Sequence, residues 1–228
     1  MGVSGATSHL PLFPLNTVTF PGLTLPLRIF EDRYRQMLAD VAKHDGPDRM
    51  CFTVTAIREG YEVGDTGVKS LYQVGAIVQV SKIQWHPDGG AEVSVNALSR
   101  VRITSTHQEH AYLTADVEPL PEAEAGPDAH LLMDRALELF ADYRMALFRM
   151  RGDEPLVTEL PHDPGVLSYL LAASTLIPVR QRQNLLESPG PEDRLRQLIT
   201  SLKSEISAMR AIPSLPATEV NRTGWCPN

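Results

Sequence analysis

The chain has 228 residues, with 21 Lys and Arg against 28 Asp and Glu and a formal net charge of −7. That balance disfavours the phosphate contacts that dominate nucleic-acid affinity, and no apolar run approaches the ~20 residues of a membrane-spanning helix. Met1 to Ala6 has neither a basic start nor an apolar stretch, so a cytoplasmic protein without a signal peptide is expected. Cys51 lies in an apolar run that predicts a buried free thiol, and Cys226 is the only other cysteine. Asn221-Arg222-Thr223 matches a glycosylation sequon, which has no meaning in a protein that is not exported.

In chain order, Leu10-Pro11-Leu12-Phe13-Pro14-Leu15, Phe20-Pro21-Gly22 and Leu25-Pro26-Leu27 interleave prolines with apolar residues that need burial. Each proline fixes φ and removes a donor, which predicts short, edge-like strands joined by a turn at Pro21-Gly22 and excludes a central strand of a regular sheet. A helix opening near Glu31-Asp32 follows, with Tyr34, Met37, Leu38 and Val41 at helical spacing and Asp45-Gly46-Pro47 as its stop. Cys51 to Ile57 reads as a strand, with Gly60 and Gly64 in the loop after it. Tyr72, Val74, Ala76, Val78 and Val80 alternate with polar or small residues, and Ile77 interrupts the alternation, so both faces of this strand are expected to be partly covered. Asp88-Gly89 signals a hairpin into Val93, Val95 and Ala97. A phase shift near Leu98-Ser99-Arg100 predicts a bulge before Val101 and Ile103, and Ala111 to Val117 supplies a further strand.

Pro119 to Pro127, rich in proline, alanine and acid, reads as a domain boundary. Beyond it the apolar period becomes helical. Met133, Ala136, Leu137, Phe140 and Leu147 mark one long helix closed by Gly152, Asp163-Pro164-Gly165 opens a second, and Pro178 a third ending near Leu186. Ser188, Pro189, Pro191, Glu192 and Asp193 start a fourth, whose stripe is Leu195, Leu198, Ile199, Leu202, Ile206 and Met209. The division expected is 1–122 for a mostly antiparallel β domain with one helix, 123–213 for helices, and 214–228 for a disordered tail from which Trp225 could dock. The fold class is α+β.

The opening block, continued through Arg28-Ile29-Phe30-Glu31-Asp32-Arg33-Tyr34-Arg35, resembles the start of the Lon protease N-terminal domain in its standalone form. Ala56-Ile57-Arg58-Glu59-Gly60, Tyr72 to Val80 and Pro87-Asp88-Gly89 follow the order and spacing of that domain's strands. Leu185-Leu186-Glu187-Ser188, Glu192-Asp193-Arg194-Leu195 and Glu205-Ile206 are similar to its helical segment. The chain departs at Ala97 and at Arg100-Val101, where relatives often carry Gly and Arg-Phe. The resemblance implies a PUA-like antiparallel β pseudo-barrel followed by a C-terminal helical bundle. It also implies a module that engages protein substrates, while separate ATPase and peptidase domains do the chemistry; in the related cereblon such a domain is a protein-interaction scaffold.

Residues for chemistry are lacking. Gly67-Val68-Lys69-Ser70 has no P-loop glycine spacing, and neither a Gly-x-Ser-x-Gly elbow nor Ser-x-x-Lys occurs, so no enzyme is expected. His107 and His110 on a strand or strand end point to opposite faces and do not chelate together, so neither metal nor cofactor is expected. Glu31-Asp32 and Glu192-Asp193 complement helix starts, and Arg33, Arg35, Arg180 and Arg182 read as surface ion-pair partners. The candidate partner-binding residues are Trp85 and His86 at the hairpin and Arg100 and Arg102 on one strand face. The partners expected are unfolded or extended polypeptides, or a specific protein such as Lon protease itself, taken either in a groove between the two halves or at an exposed strand edge. The alternative is RNA or another nucleic acid bound through the β half, with Arg100 and Arg102 as cations and Trp85 for stacking.

Overall fold

The structure is a computed structural model that describes residues 8–43, 50–60, 68–151 and 160–211. The expected stops at Asp45-Gly46-Pro47 and Gly152, together with Gly64, Gly67, the tail at 214–228, the Asn221 sequon, Trp225 and Cys226, lie outside the described residues. No described helix is long and apolar enough to cross a membrane. Cys51 is half-buried rather than buried.

The order is β1 (Ser8–Leu15), β2 (Thr24–Ile29), α1 (Asp32–Ala42), β3 (Cys51–Gly60), β4 (Val68–Leu71), β5 (Val74–Trp85), β6 (Ala91–His107), β7 (Leu113–Pro119), α2 (Ala129–Arg151), α3 (Pro164–Ser174), α4 (Val179–Glu187) and α5 (Pro191–Ala211). The strands pair antiparallel except for β1 with β3, and that parallel pair closes β1, β7, β6, β5 and β3 into a ring. This is where β1 differs from an edge strand. Ser8 to Leu12 pair with β7 and Leu12 to Leu15 with β3, so β1 lies between two partners but exchanges one for the other at Leu12. Neither half is paired on both sides, so Pro11 and Pro14 need only turn their donorless nitrogens to the unpaired side. β4, with its sequence Val68-Lys69-Ser70-Leu71, was missing from the sequence reading; four residues beside two glycines give too short a pattern to show.

β6 is long enough to serve two neighbourhoods. Ala91 to Asn96 lie between β2 and β5, Val101 and Arg102 lie between β5 and β7, and Ile103 to His107 run on along β7. The bulge falls where the phase shift placed it: Ile77 pairs with Ser99 and Val78 with Ala97, leaving Leu98 as the extra residue. A second register shift at Ser81 bends β5 against it. β2, β6 and β5 thus form an arm that carries the hairpin away from the ring.

Both faces of β5 are covered. Ala76 and Val78 join the ring's core with Phe13, Phe52, Val93 and the Tyr34, Met37, Leu38 face of α1, whereas Ile77 packs with Leu12, Val101 and Val117. The helices share another core, which takes in Val18 and Phe20 from the β1–β2 connection and Ala56 and Val74 from the strands, as well as Tyr143, Leu171 and Leu198. Asp163 caps α3 by accepting from Val166 N at 2.8 Å.

Two expected outcomes follow from this packing. A Cβ on Gly75 would stand 2.2 Å from the Val54 carbonyl oxygen on β3, so Gly75→Ala will cost about 1–3 kcal/mol in urea denaturation by forcing β5 off β3. Asp40 on α1 accepts from Lys43, Gln36 and Tyr112, and the Lys43 bond above all lowers its carboxyl from 3.8 to about 2. The folded-state value is depressed, so Asp40 contributes stability that is fully present above pH ~4 and is lost as pH falls through the folded value. The melting-temperature gap between wild type and Asp40→Asn will therefore be open at pH 7, narrow below pH 4 and close near pH 2.

Candidate functional site

The residues singled out by sequence fall at two places, at opposite ends of the β5–β6 pair. Trp85 is in register with Ala91 at the hairpin, while Val74, at the other end of β5, is in register with Arg102. About 35 Å of strand separates them.

Arg100 is a correction. It is 3% exposed, and its guanidinium donates to the carbonyl oxygens of Leu186 (2.7 Å), Ser188 (2.5 Å) and Pro121 (2.9 Å). A side chain with donors spent on three backbone acceptors is not available to a partner; it ties β6 to the end of α4 and to the strand-to-helix connection. Arg102 is exposed and lines a small hollow of about 250 Å³ with Gln73, Leu120, Pro121, Glu187 and Pro189. With Arg100 buried and Trp85 a strand's length away, the pair of cations and stacking ring that a nucleic-acid site would need is not assembled, and the nucleic-acid alternative is not favoured.

Arg194, which the sequence reading passed over, completes the junction. It is fully buried, donates to Leu185 O (3.0 Å) and Ser168 Oγ (2.8 Å), pairs with Glu122 at 2.6 Å and lies 3.7 Å from the centre of the Tyr169 ring. Tyr169 donates its hydroxyl to the other Glu122 oxygen. Burial, reinforced by that bond, pushes the Tyr169 hydroxyl well above its ordinary value.

The arm is different in character. Among the described residues β2 pairs with β6 alone, which leaves its outer edge open there. Three hollows of about 290, 370 and 450 Å³ flank it, and Arg28 lines all of them. Phe30, half-exposed at 50%, lines two, one with Phe13, Leu25 and Pro26 and the other with His86 and Glu92. His86 Nε2 stands 3.7 Å from Glu92. Trp85 is as exposed as Phe30, at 51%, but lines none of the three. The hairpin loop is held by Gly90 N donating to Asp88 Oδ1 at 2.9 Å, a bond that also holds the Asp88 carboxyl below its ordinary range, and Gly89 takes the positive φ of 80° that the turn demands. Sequence reasoning quoted Arg28 and Phe30 only for their resemblance. Nothing in their local pattern announces a groove, because its walls come from β1, β2 and β6 together.

The two histidines weighed as metal ligands, His107 and His110, go separate ways. His110 stacks on Tyr112 with ring centres 5.2 Å apart, and His107 bonds Asp116 on β7.

A model of the substrate-binding domain of ATP-dependent protease La (Lon) matches residues 9–204. The chain belongs to that family. Among curated relatives, the Lon protease of Desulfovibrio desulfuricans is 30% identical over 202 residues, covering 86% of this chain and 22% of its own length. Lon protease 2 of Herpetosiphon aurantiacus is 31% identical over 211 residues, covering 91% of this chain and 25% of its own. The chain thus spans about a quarter of the length of these relatives. Of solved structures, the N-terminal domain of a Mycobacterium avium complex Lon protease aligns with a TM-score of 0.63 at 19% identity, covering 86% of this chain and 98% of that one. A Lon N-terminal domain protein from Xanthomonas campestris aligns at 0.59 with 25% identity, covering 85% and 98%. Membership of the Lon substrate-binding family bears out the resemblance read from the sequence and its link to proteolysis.

In this member of the family, Arg100→Met will leave three carbonyl oxygens without their donor. Each loss costs about 1–3 kcal/mol if the oxygen stays dry, so a destabilisation on the order of 3 kcal/mol is expected in chemical denaturation. Arg100→Lys will recover only part of it, since one ammonium cannot reproduce the guanidinium fork.

Proposed function

We propose that this chain is a non-catalytic recognition module that takes up extended or unfolded polypeptide and serves proteolytic quality control as an adaptor or regulator, with Lon protease as one partner. The observation that carries the reading is the open outer edge of β2, flanked by hollows that share Arg28 and are rimmed by half-exposed Phe30. An extended segment laid beside that edge finds apolar walls in Phe13, Leu25 and Phe30 and charges at Arg28, Lys82 and Glu92. Pro26 offers no backbone donor there, so side-chain contacts outweigh ladder bonds and indiscriminate strand pairing is resisted. In this reading residues 1–122 form the PUA-like pseudo-barrel that does the recognising, with Trp85 and His86 as flanking contacts. Residues 123–213 form the helical bundle that buttresses it through Arg100 and Arg194. The family's description as a substrate-binding domain supports the class of ligand.

The test is fluorescence anisotropy with a labelled, permanently unfolded polypeptide. Phe30→Ala is expected to weaken binding about ten-fold or more, as a buried aromatic anchor does on truncation. Leu131→Ala, at a residue 72% exposed on α2, will leave it unchanged. Equal affinity for wild type and Phe30→Ala would remove the site from the β2 edge.

A further inference from the structure

On the side of the ring formed by β1, β7 and β6, three side chains from three adjacent strands converge. His9 on β1 is the direct register partner of Asp116 on β7, and Asp116 is in turn the register partner of Ser105 on β6. His107 follows Ser105 by two residues, so the strand alternation returns it to the same face. His9 Nδ1 lies 2.8 Å from Asp116 Oδ1, His107 Nε2 lies 2.8 Å from Oδ2, and the imidazole rings are 5.3 Å apart. One ligand atom from each residue falls within 4.8 Å of the other two, which singles this group out among the described residues.

We propose that His9, His107 and Asp116 form a binding site for one divalent transition-metal ion of the Zn²⁺ class. Two imidazoles and one carboxylate suit Zn²⁺, Co²⁺, Ni²⁺ or Cu²⁺; Mg²⁺ and Ca²⁺ want oxygen throughout. A metal about 2.1 Å from each ligand spans at most ~4.2 Å between them, so closure needs only side-chain rotation at partly exposed positions on a backbone already held by ladder pairing. The imidazole nitrogens that would ligate already point at the carboxylate, and a metal replaces the protons that now bridge them. Ser105 Oγ donates to Asp116 Oδ2 at 2.5 Å and fixes the carboxylate, the kind of outer-shell bond that orients metal ligands. Bonds from that serine above all, and then from His9, hold the Asp116 carboxyl well below the ordinary carboxylate range. Three protein ligands leave at least one position to water. The ion would clamp β1, the strand that closes the ring, to β7 and β6. The expectation of no metal weighed His107 against His110; the true companion of His107 lies 98 positions away in the chain, and the topology alone brings it near.

The full chain, free of any affinity tag, would be titrated with Zn²⁺ by calorimetry and with Co²⁺ by ligand-field absorption. The expected result is saturation at one ion per chain, with a rise in melting temperature on Zn²⁺ addition. His9→Ala and His107→Ala should each weaken binding at least ten-fold, while His110→Ala should leave it unchanged. Asp116→Asn keeps the shape and one acceptor of the cluster and should also lose the Co²⁺ spectrum, so the proposal stays testable if an alanine variant misfolds. Absence of saturable binding, or a stoichiometric site that survives His9→Ala with His107→Ala, would overturn it and leave a hydrogen-bonded brace in its place.

Discussion

Two buried guanidiniums hold this protein together at its junction. Arg100 leaves the strand ring and grips the end of α4 and the connecting segment, while Arg194 leaves α5 and grips Glu122 on that same segment, with Tyr169 stacked beneath it. Both guanidiniums are buried, so removing either partner leaves a buried charge or bare carbonyls. The planar fork suits a place where several carbonyls end at once: the last turn of a helix leaves its carbonyl oxygens without intrahelical donors, and Arg100 supplies them from another element. The β half and the helices also share hydrophobic core through Ala56 and Val74 of the strands and Val18 and Phe20 of the β1–β2 connection. Gln183 adds a further tie by donating to Val74 O at 2.9 Å.

With that end anchored, the opposite end of the β5–β6 pair is left to reach outward. The two register shifts at Leu98 and Ser81 bend the pair away from the ring and give β2 a neighbour on one side only. An open edge is normally a hazard, and this one carries Pro26 and Arg28, residues that discourage pairing with an arbitrary strand. The same edge is bordered by hollows with apolar walls. A surface that resists pairing but keeps apolar contacts suits a ligand recognised through its side chains. His9, His107 and Asp116 lie on β7 and on stretches of β1 and β6 that line none of the hollows along β2, so metal binding and polypeptide recognition need not compete for residues.

Much of this was legible residue by residue. The α1 face, the alternation in β5, the hairpin at Asp88-Gly89, the bulge at Leu98 and the starts of α3, α4 and α5 are local signals, because caps, turns and apolar periods are settled by neighbours within a few positions. The ordered series of motifs along the chain led to the right family. What escaped was non-local. β1 looked like an edge strand because its prolines forbid two-sided pairing, and nothing local shows that a strand can change partners midway. Arg100 looked like a free cation because an exposed and a buried arginine carry the same letter.

The sequence by itself determined the α+β class and the elements other than β4, since these depend on backbone propensity and periodicity that a short window contains. The order of its motifs along the chain carried the resemblance to the family. Only the tertiary structure decided which arginine is spent on carbonyls, which edge is left open, and that His9 meets His107 across β7. Those outcomes depend on strand order and register, and pairing between residues 98 positions apart leaves no mark on the local pattern of either one.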